Sequence, residues 1–238
     1  MSTLILAAHG SRDPRSSANT RAIANQIRRI RPGLDIRVAF CERSTPNLRD
    51  VLAALDPGRD IVVAPLLLTE AYHAQLDIPS LIAQSGARHA VQADVLGEDD
   101  RLLGVMHQRL AQLGVSRLDS ELGVLVVAVG SSRNAVNRRT ATVARALVTD
   151  TRWAGTLTAF ATGPHPCVDR VAHQLRRRGA RRLVIAPWFL APGRLTDRVA
   201  AYARDHDIPM AEPLGAHRLV AATVLDRFDA AVSHRIAA

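Results

Sequence analysis

The sequence predicts an α/β protein of two tandem half-domains, each a four-stranded parallel sheet flanked by helices, with a cleft between them. Two observations carry this. Short β-rich runs alternate with longer amphipathic stretches along the whole chain, which is the pattern of parallel sheets covered on both faces. The chain also repeats itself. Phe40-Cys41-Glu42 aligns with Phe160-Ala161-Thr162 and Pro46 with Pro166, both 120 residues apart, and Val62-Val63-Ala64-Pro65 aligns with Val184-Ile185-Ala186-Pro187, 122 residues apart. A repeat of that period most simply means duplication of one four-strand unit. The boundary is expected near Gly114–Glu121, dividing the chain into residues 1–117 and 118–238. Tandem halves with equivalent edges can face each other across a cleft, a preferred place for small molecules.

The elements follow in order. An apolar run, Thr3–Ala8, predicts the first strand, and Ser16–Ile30 the first helix. Asp35–Phe40 reads as a strand. Pro46–Leu55 reads as a helix with Thr45 as its cap and Pro46 at its first position. The strand Asp60–Leu68, the helix Ala74–Gln84, the strand His89–Val95 and the helix Asp99–Leu113 complete the first series. The second series predicts strands near Gly123–Val129, Thr156–Thr162, Arg182–Leu190 and Pro209–Pro213. Its helices fall near Ala135–Val148, Pro166–Arg178, Asp197–Arg204 and Arg218–Ser233.

Composition narrows the function classes. At 238 residues and 47% hydrophobic, the chain can bury a substantial core. No apolar run approaches the roughly 20 residues of a membrane span, and the N-terminal run is too short for a signal peptide. The expectation is a soluble cytoplasmic protein. The two cysteines, Cys41 and Cys167, form no CxxC, so neither a disulfide framework nor a cysteine-held cluster is indicated. The formal charge is +9, and all 31 basic residues are arginine. Arginine binds carboxylates in a two-pronged geometry, which suits a polycarboxylate substrate. With only eight aromatic residues and no zinc-finger or RNA-binding signature, nucleic acid is not the expected partner. A dinucleotide fingerprint, a Walker phosphate loop and a G-x-S-x-G nucleophile elbow are all missing.

Three potential metal ligands or bases lie just past three successive strands of the first half. His9 ends the first, Glu42 follows the second, and His73 lies in the loop after the third. On a parallel sheet these positions share the carboxyl edge, where open α/β folds place ligands. Two imidazoles and a carboxylate suit Fe2+, Co2+, Ni2+ or Zn2+, and the same groups can remove protons near neutral pH. Ser11 follows Gly10 at a helix entrance, where it can cap backbone or contact an anion. His165, between Pro164 and Pro166, sits just past a second-half strand edge and is a further residue able to reach the cleft.

The His9-Gly10-Ser11-Arg12-Asp13-Pro14 start, the Phe40-Cys41-Glu42 strand end with Pro46 beyond it, and the Pro65-Leu66-Leu67-Leu68…His73…Asp77-Ile78-Pro79 segment together resemble the sirohydrochlorin chelatase family. The likeness covers essentially the whole chain in a duplicated form. It implies ATP-independent insertion of Co2+ or Fe2+ into sirohydrochlorin, for cobalamin or siroheme, with no cofactor beyond the substrate metal (Co2+, Fe2+ or Ni2+). It further implies that His9 and His73 bind metal and assist proton removal, with Glu42 in the same site. Arg12, Arg43, Arg133 and Arg194 are candidates, from position, to hold the macrocycle's carboxylates. Leu67, Leu68 and Phe189 are candidates for an apolar slot. The second half departs at each reactive position: Val129 replaces the first histidine, Thr162 stands for Glu42, and the loop after Leu190 has no histidine. One active half and one binding half is the natural inference. The alternatives are a non-catalytic tetrapyrrole or metal carrier with this fold, and an unrelated α/β enzyme acting on a small anion. A carrier needs no base, so His9, Glu42 and His73 together favour the enzyme.

Overall fold

Each half is organised around a central strand buried on both faces. The computed structural model describes residues 2–56, 58–70, 73–87, 89–163 and 166–237, without the side chains of residues 73, 236 and 237. The His73 side chain and all of His165 therefore lie outside the described residues. In the first half, β1 (Ser2–Ala8) pairs in parallel with β2 (Asp35–Phe40) and β3 (Asp60–Pro65). β3 pairs in turn with β4 (Val91–Gln92), so the order is β2-β1-β3-β4. In the second half, β5 (Leu122–Ala128) lies between β6 (Gly155–Phe160) and β7 (Arg182–Pro187), in a sheet of order β6-β5-β7. The registers repeat as the sequence does. Ala8 faces Phe40 and Ala7 faces Pro65, just as Ala128 faces Phe160 and Val127 faces Pro187.

Leu4, Ile5, Leu6 and Ala7 are each fully buried, as a continuous apolar run in a central parallel strand must be. One face of the first sheet packs Ile5, Ala7, Ala39, Ile61 and Val63 against Leu48, Leu52 and Ile78. These last come from α2 (Leu48–Ala53) and α3 (Ile78–Ser85). A single π-helical turn, His73–Asp77, leads into α3. α1 (Pro14–Ile30) buries Ile23, Ala24 and Ile27, and the Asp13 side chain caps it by accepting from the Arg15 N–H at 3.0 Å, with Pro14 in the first turn. In the second half, α7 (Val168–Arg177) and α8 (Arg194–Asp205) bring Val171, Leu175 and Val199 onto Leu125, Val127 and Ile185. Each fully buried Leu, Ile or Val contributes roughly 1.5–3 kcal/mol.

Several elements differ from the sequence expectation for identifiable reasons. α2 begins later than Pro46, because the Pro46 carbonyl accepts from Phe40 N–H at 2.9 Å and Asn47, not Thr45, supplies the cap to Arg49 N–H at 2.9 Å. The helix expected over Ala135–Val148 is two, α5 (Asn134–Thr140) and α6 (Thr142–Leu147). At their junction the Thr142 hydroxyl donates to the Arg139 carbonyl at 2.7 Å, competing with the helical ladder. The fourth strand of the first sheet shrinks to two residues. The second sheet has three strands, with the expected Pro209–Pro213 strand reduced to one bridge between Met210 and Ile185. Pro209 and Pro213 lack the N–H groups a ladder needs.

The chain divides into two compact units, Met1–Asp99 with Ala216–Ala238, and Asp100–Gly215. Against the repeat boundary of 1–117 and 118–238, each unit has exchanged one helix: α4 (Asp100–Gln112) lies in the second and α9 (Arg218–Ala237) in the first. Equivalent arginines fasten these helices. Arg227 on α9 donates to the Val95 and Leu96 carbonyls at 3.1 and 2.9 Å, while Arg109 on α4 donates to those of Pro213 and Leu214 at 3.2 and 3.3 Å. The guanidinium fork spans two successive carbonyls in both units. Further arginine contacts hold α9 in place: Arg31 to Asp229 at 2.6 and 2.7 Å, and Arg235 to Asp60 at 2.8 Å. Among the described residues, no helix is long and apolar enough to cross a membrane.

Candidate active site at the carboxyl edge of the first sheet

The pairing of β1 with β2 runs past the end of both strands, and this sets the site. Beyond the Ala8–Phe40 pair, Cys41 N–H donates to the Ala8 carbonyl at 2.9 Å and Glu42 N–H to that of His9 at 3.0 Å. His9 and Glu42 are thereby held side by side, with Nε2 and Oε1 3.1 Å apart. Both side chains are substantially exposed, 36% and 44%, so a ligand has access to them. Their spacing also suits neighbouring ligand positions on one first-row ion at bond lengths of about 2.0–2.2 Å.

The loops around the pair are locked together. Gly10 takes a φ of +93°, and a Cβ there would stand 1.7 Å from the Glu42 carbonyl oxygen, so only glycine lets the two chains approach. The Ser44 hydroxyl accepts from Ser11 N–H at 3.0 Å and donates to the Ser11 carbonyl at 2.9 Å. Ser11's own hydroxyl accepts from Asp13 N–H at 3.0 Å. Arg43 sits in the left-handed region with a φ of +58° and turns its guanidinium onto Glu42, Nε to Oε1 2.8 Å. One carboxylate oxygen thus serves an imidazole and a guanidinium together.

Of the other sequence candidates, Arg12 lies exposed on the His9–Asp13 loop. His73 opens the π-helical turn after β3, and β3 is the other neighbour of β1. Arg133 precedes α5 and Arg194 begins α8, both exposed and both in the second unit. Phe189 is 7% exposed inside the second core, and Leu67 packs on the first, so these two serve packing rather than an open slot. Among the described residues, no group of three or more His, Cys, Asp or Glu side chains is set to hold a metal ion.

Sequence reasoning missed Ser44, whose only signal is that it pairs a second hydroxyl loop with Ser11. It also missed the setting of Cys41. Burial first, and then the carboxylates of Asp77 and Glu42, push this thiol up to about 11. Asp77 therefore brings negative charge toward the same edge.

The second sheet keeps the scaffold without the histidine and the acid. Gly130 has a φ of +88°, with the Thr162 carbonyl 2.4 Å from where its Cβ would be. Asn137 replaces Ser44, its side-chain amide bonding Ser131 N–H and carbonyl at 2.8 and 2.7 Å. At the position of His9 stands Val129, 44% exposed, and the hydroxyl of Thr162 is turned onto the Val129 carbonyl.

Comparison with known proteins agrees with the duplication. A family model described as CbiX matches residues 3–113 and, a second time, residues 123–231. A sirohydrochlorin ferrochelatase of Priestia megaterium is 27% identical over 209 residues, covering 84% of this chain and 77% of that protein. A sirohydrochlorin cobaltochelatase of the same organism is 24% identical over 220 residues, covering 87% and 71%. Among solved structures, SirB from Bacillus subtilis with Fe3+ has a TM-score of 0.82 at 22% identity, over 96% of this chain and 94% of that one.

Proposed function

The chain belongs to the CbiX family over both of its halves, and on that footing we propose that it inserts Co2+ or Fe2+ into sirohydrochlorin without ATP, for cobalamin or siroheme. The observation that carries this is the His9–Glu42 pair on the first sheet edge, Nε2 to Oε1 3.1 Å, set against Val129 and Thr162 at the matching places of the second.

Metallation exchanges pyrrole N–H protons for a divalent ion, so the protein must accept protons and hold a metal loosely enough to give it up. Imidazole and carboxylate do both. In this reading His9 and Glu42 hold the ion from neighbouring positions, and His73 joins them from the loop after β3. The remaining coordination positions stay open to the macrocycle. His9 and His73, relieved of metal, take the two displaced pyrrole protons as general bases. Arg12, Arg133 and Arg194 supply guanidinium groups for the macrocycle's carboxylates, whereas the guanidinium of Arg43, a candidate by position, is engaged by Glu42; the Ser11 hydroxyl still has a hydrogen to donate. The half carrying the chemistry is 1–117, and the half 118–238 binds. These donors accept Co2+, Fe2+ and Ni2+ alike, so metal supply selects among them. No further cofactor and no nucleic acid enters this scheme. Both cysteines are free, as a reducing compartment keeps them, and we place the reaction in the cytoplasm.

The test is anaerobic incubation with sirohydrochlorin and Co2+ or Fe2+, following the absorbance change on metallation. Acceleration over the protein-free rate supports the chelatase. Binding of the macrocycle without acceleration by any metal identifies a carrier instead.

A further inference from the structure

Resting on the reading of His9 and Glu42 as the metal holder, we infer that Arg43 is a positioning residue that keeps the metal weakly held. Three observations carry this. The Arg43 Nε lies 2.8 Å from Glu42 Oε1, the same oxygen that faces His9 Nε2 at 3.1 Å. Arg43 reaches it from a left-handed backbone, φ +58°, a conformation costly for a residue with a Cβ. The surrounding loop holds Arg43 there, since Ser44 N–H donates to the Glu42 carbonyl at 2.7 Å while the Ser44 hydroxyl grips Ser11. The loop therefore fixes a cation on the oxygen that a metal would use.

A guanidinium on a ligating oxygen opposes a dication in two ways. It repels the ion directly, and it draws electron density from the oxygen the ion must share. The opposition is graded rather than blocking, because both side chains are about half exposed, 57% and 44%, and exposed pairs break readily. A chelatase needs this balance: the ion must be captured from solution and then surrendered to the macrocycle. Glu42 attracts the ion, and Arg43 limits how long it stays.

The experiment is anaerobic titration of Co2+ alone into wild type, Arg43→Gln and Arg43→Lys, reading the cobalt absorption of the bound ion at low and high salt. Removing the charge is expected to tighten Co2+ binding by at least about five-fold at low salt. Arg43→Lys should return most of the way to wild type, and added salt should close the gap as it screens an exposed pair. In metallation assays the Gln variant should show a lower KM for Co2+ together with a lower kcat. Equal or weaker Co2+ binding by Arg43→Gln overturns the inference. Failure of all three proteins to bind Co2+ overturns it together with the metal-holding role of His9 and Glu42. Tightened binding without metallation by any variant leaves Arg43's role standing and removes the chelatase reading alone.

Discussion

A Cβ on Gly10 would stand 1.7 Å from the carbonyl oxygen of Glu42, so the approach that seats His9 beside Glu42 exists only because residue 10 has no side chain. Gly10→Ala combines a backbone clash with a disfavoured φ, and it should cost about 2–5 kcal/mol. Gly86 also has a positive φ, +78°, but nothing within 4 Å of a Cβ, so Gly86→Ala should cost only about 1 kcal/mol. Urea unfolding of the two variants measures the difference. Equal midpoints would show that the close approach is not what demands glycine.

Ser44 holds both backbone groups of Ser11 through one hydroxyl. Ser44→Ala should lose about 1–2 kcal/mol and loosen the loop carrying His9. The stability loss is read from denaturant unfolding and the loosening from faster amide exchange at Ser11. Asn137→Ala should do the same to the amide of Ser131, which relies on Asn137 in the second half. Unchanged exchange in both would contradict the paired-clamp description.

Cys41 is half-buried with its thiol pushed up to about 11, whereas Cys167 is exposed. Thiolate is the reacting form, so at pH 8 iodoacetamide should label Cys167 in the native protein and reach Cys41 only on unfolding, as peptide mass mapping would show. The raised value also fixes a pH dependence. The unfolded thiol ionises first, so stability should fall as pH rises from 9.0 to about 11, and Cys41→Ala should flatten that fall.

His107 on α4 packs at a tilt against Trp153, ring centroids 5.8 Å apart. Burial, and then Arg117, hold its pKa below the ordinary 6.5. The unfolded state therefore gains a proton before the native state does, and stability drops as pH falls below 6.5. His107→Phe should lessen the drop in urea midpoint between pH 7 and pH 5. An identical slope would place the acid sensitivity elsewhere.

The edge where His9 and Glu42 meet was legible in the sequence because three things coincide there. An apolar strand ends at His9, a glycine permits the close approach, and the repeat shows which residues the second half lost. Glu42's pairing with His9 was foreseen as convergence on one edge, whereas Arg43's grip on Glu42 was not. That grip depends on a left-handed φ, which arginine identity does not signal. Periodicity also located the central strands well, since their burial on both faces writes itself as unbroken apolar runs. It failed at the margins. β4 and the Met210 bridge are edge segments, where pairing depends on neighbours rather than on local pattern. The exchange of α4 and α9 between units is equally invisible locally. A helix's apolar stripe says that it packs but not on which unit; contacts such as the matched grips of Arg109 and Arg227 on loop carbonyls reveal the partner.

The proposed function stands or falls on a single reactive edge, that of the first sheet, with no counterpart on the second. The direct measurement is the rate of Co2+ insertion into sirohydrochlorin, under anaerobic single-turnover conditions, by wild type, His9→Ala and Val129→Ala. The prediction is a loss of about 10²-fold or more for His9→Ala, the scale of a missing base and ligand, with Val129→Ala close to wild type. Wild-type rates for His9→Ala, or equal losses at the two positions, would contradict it.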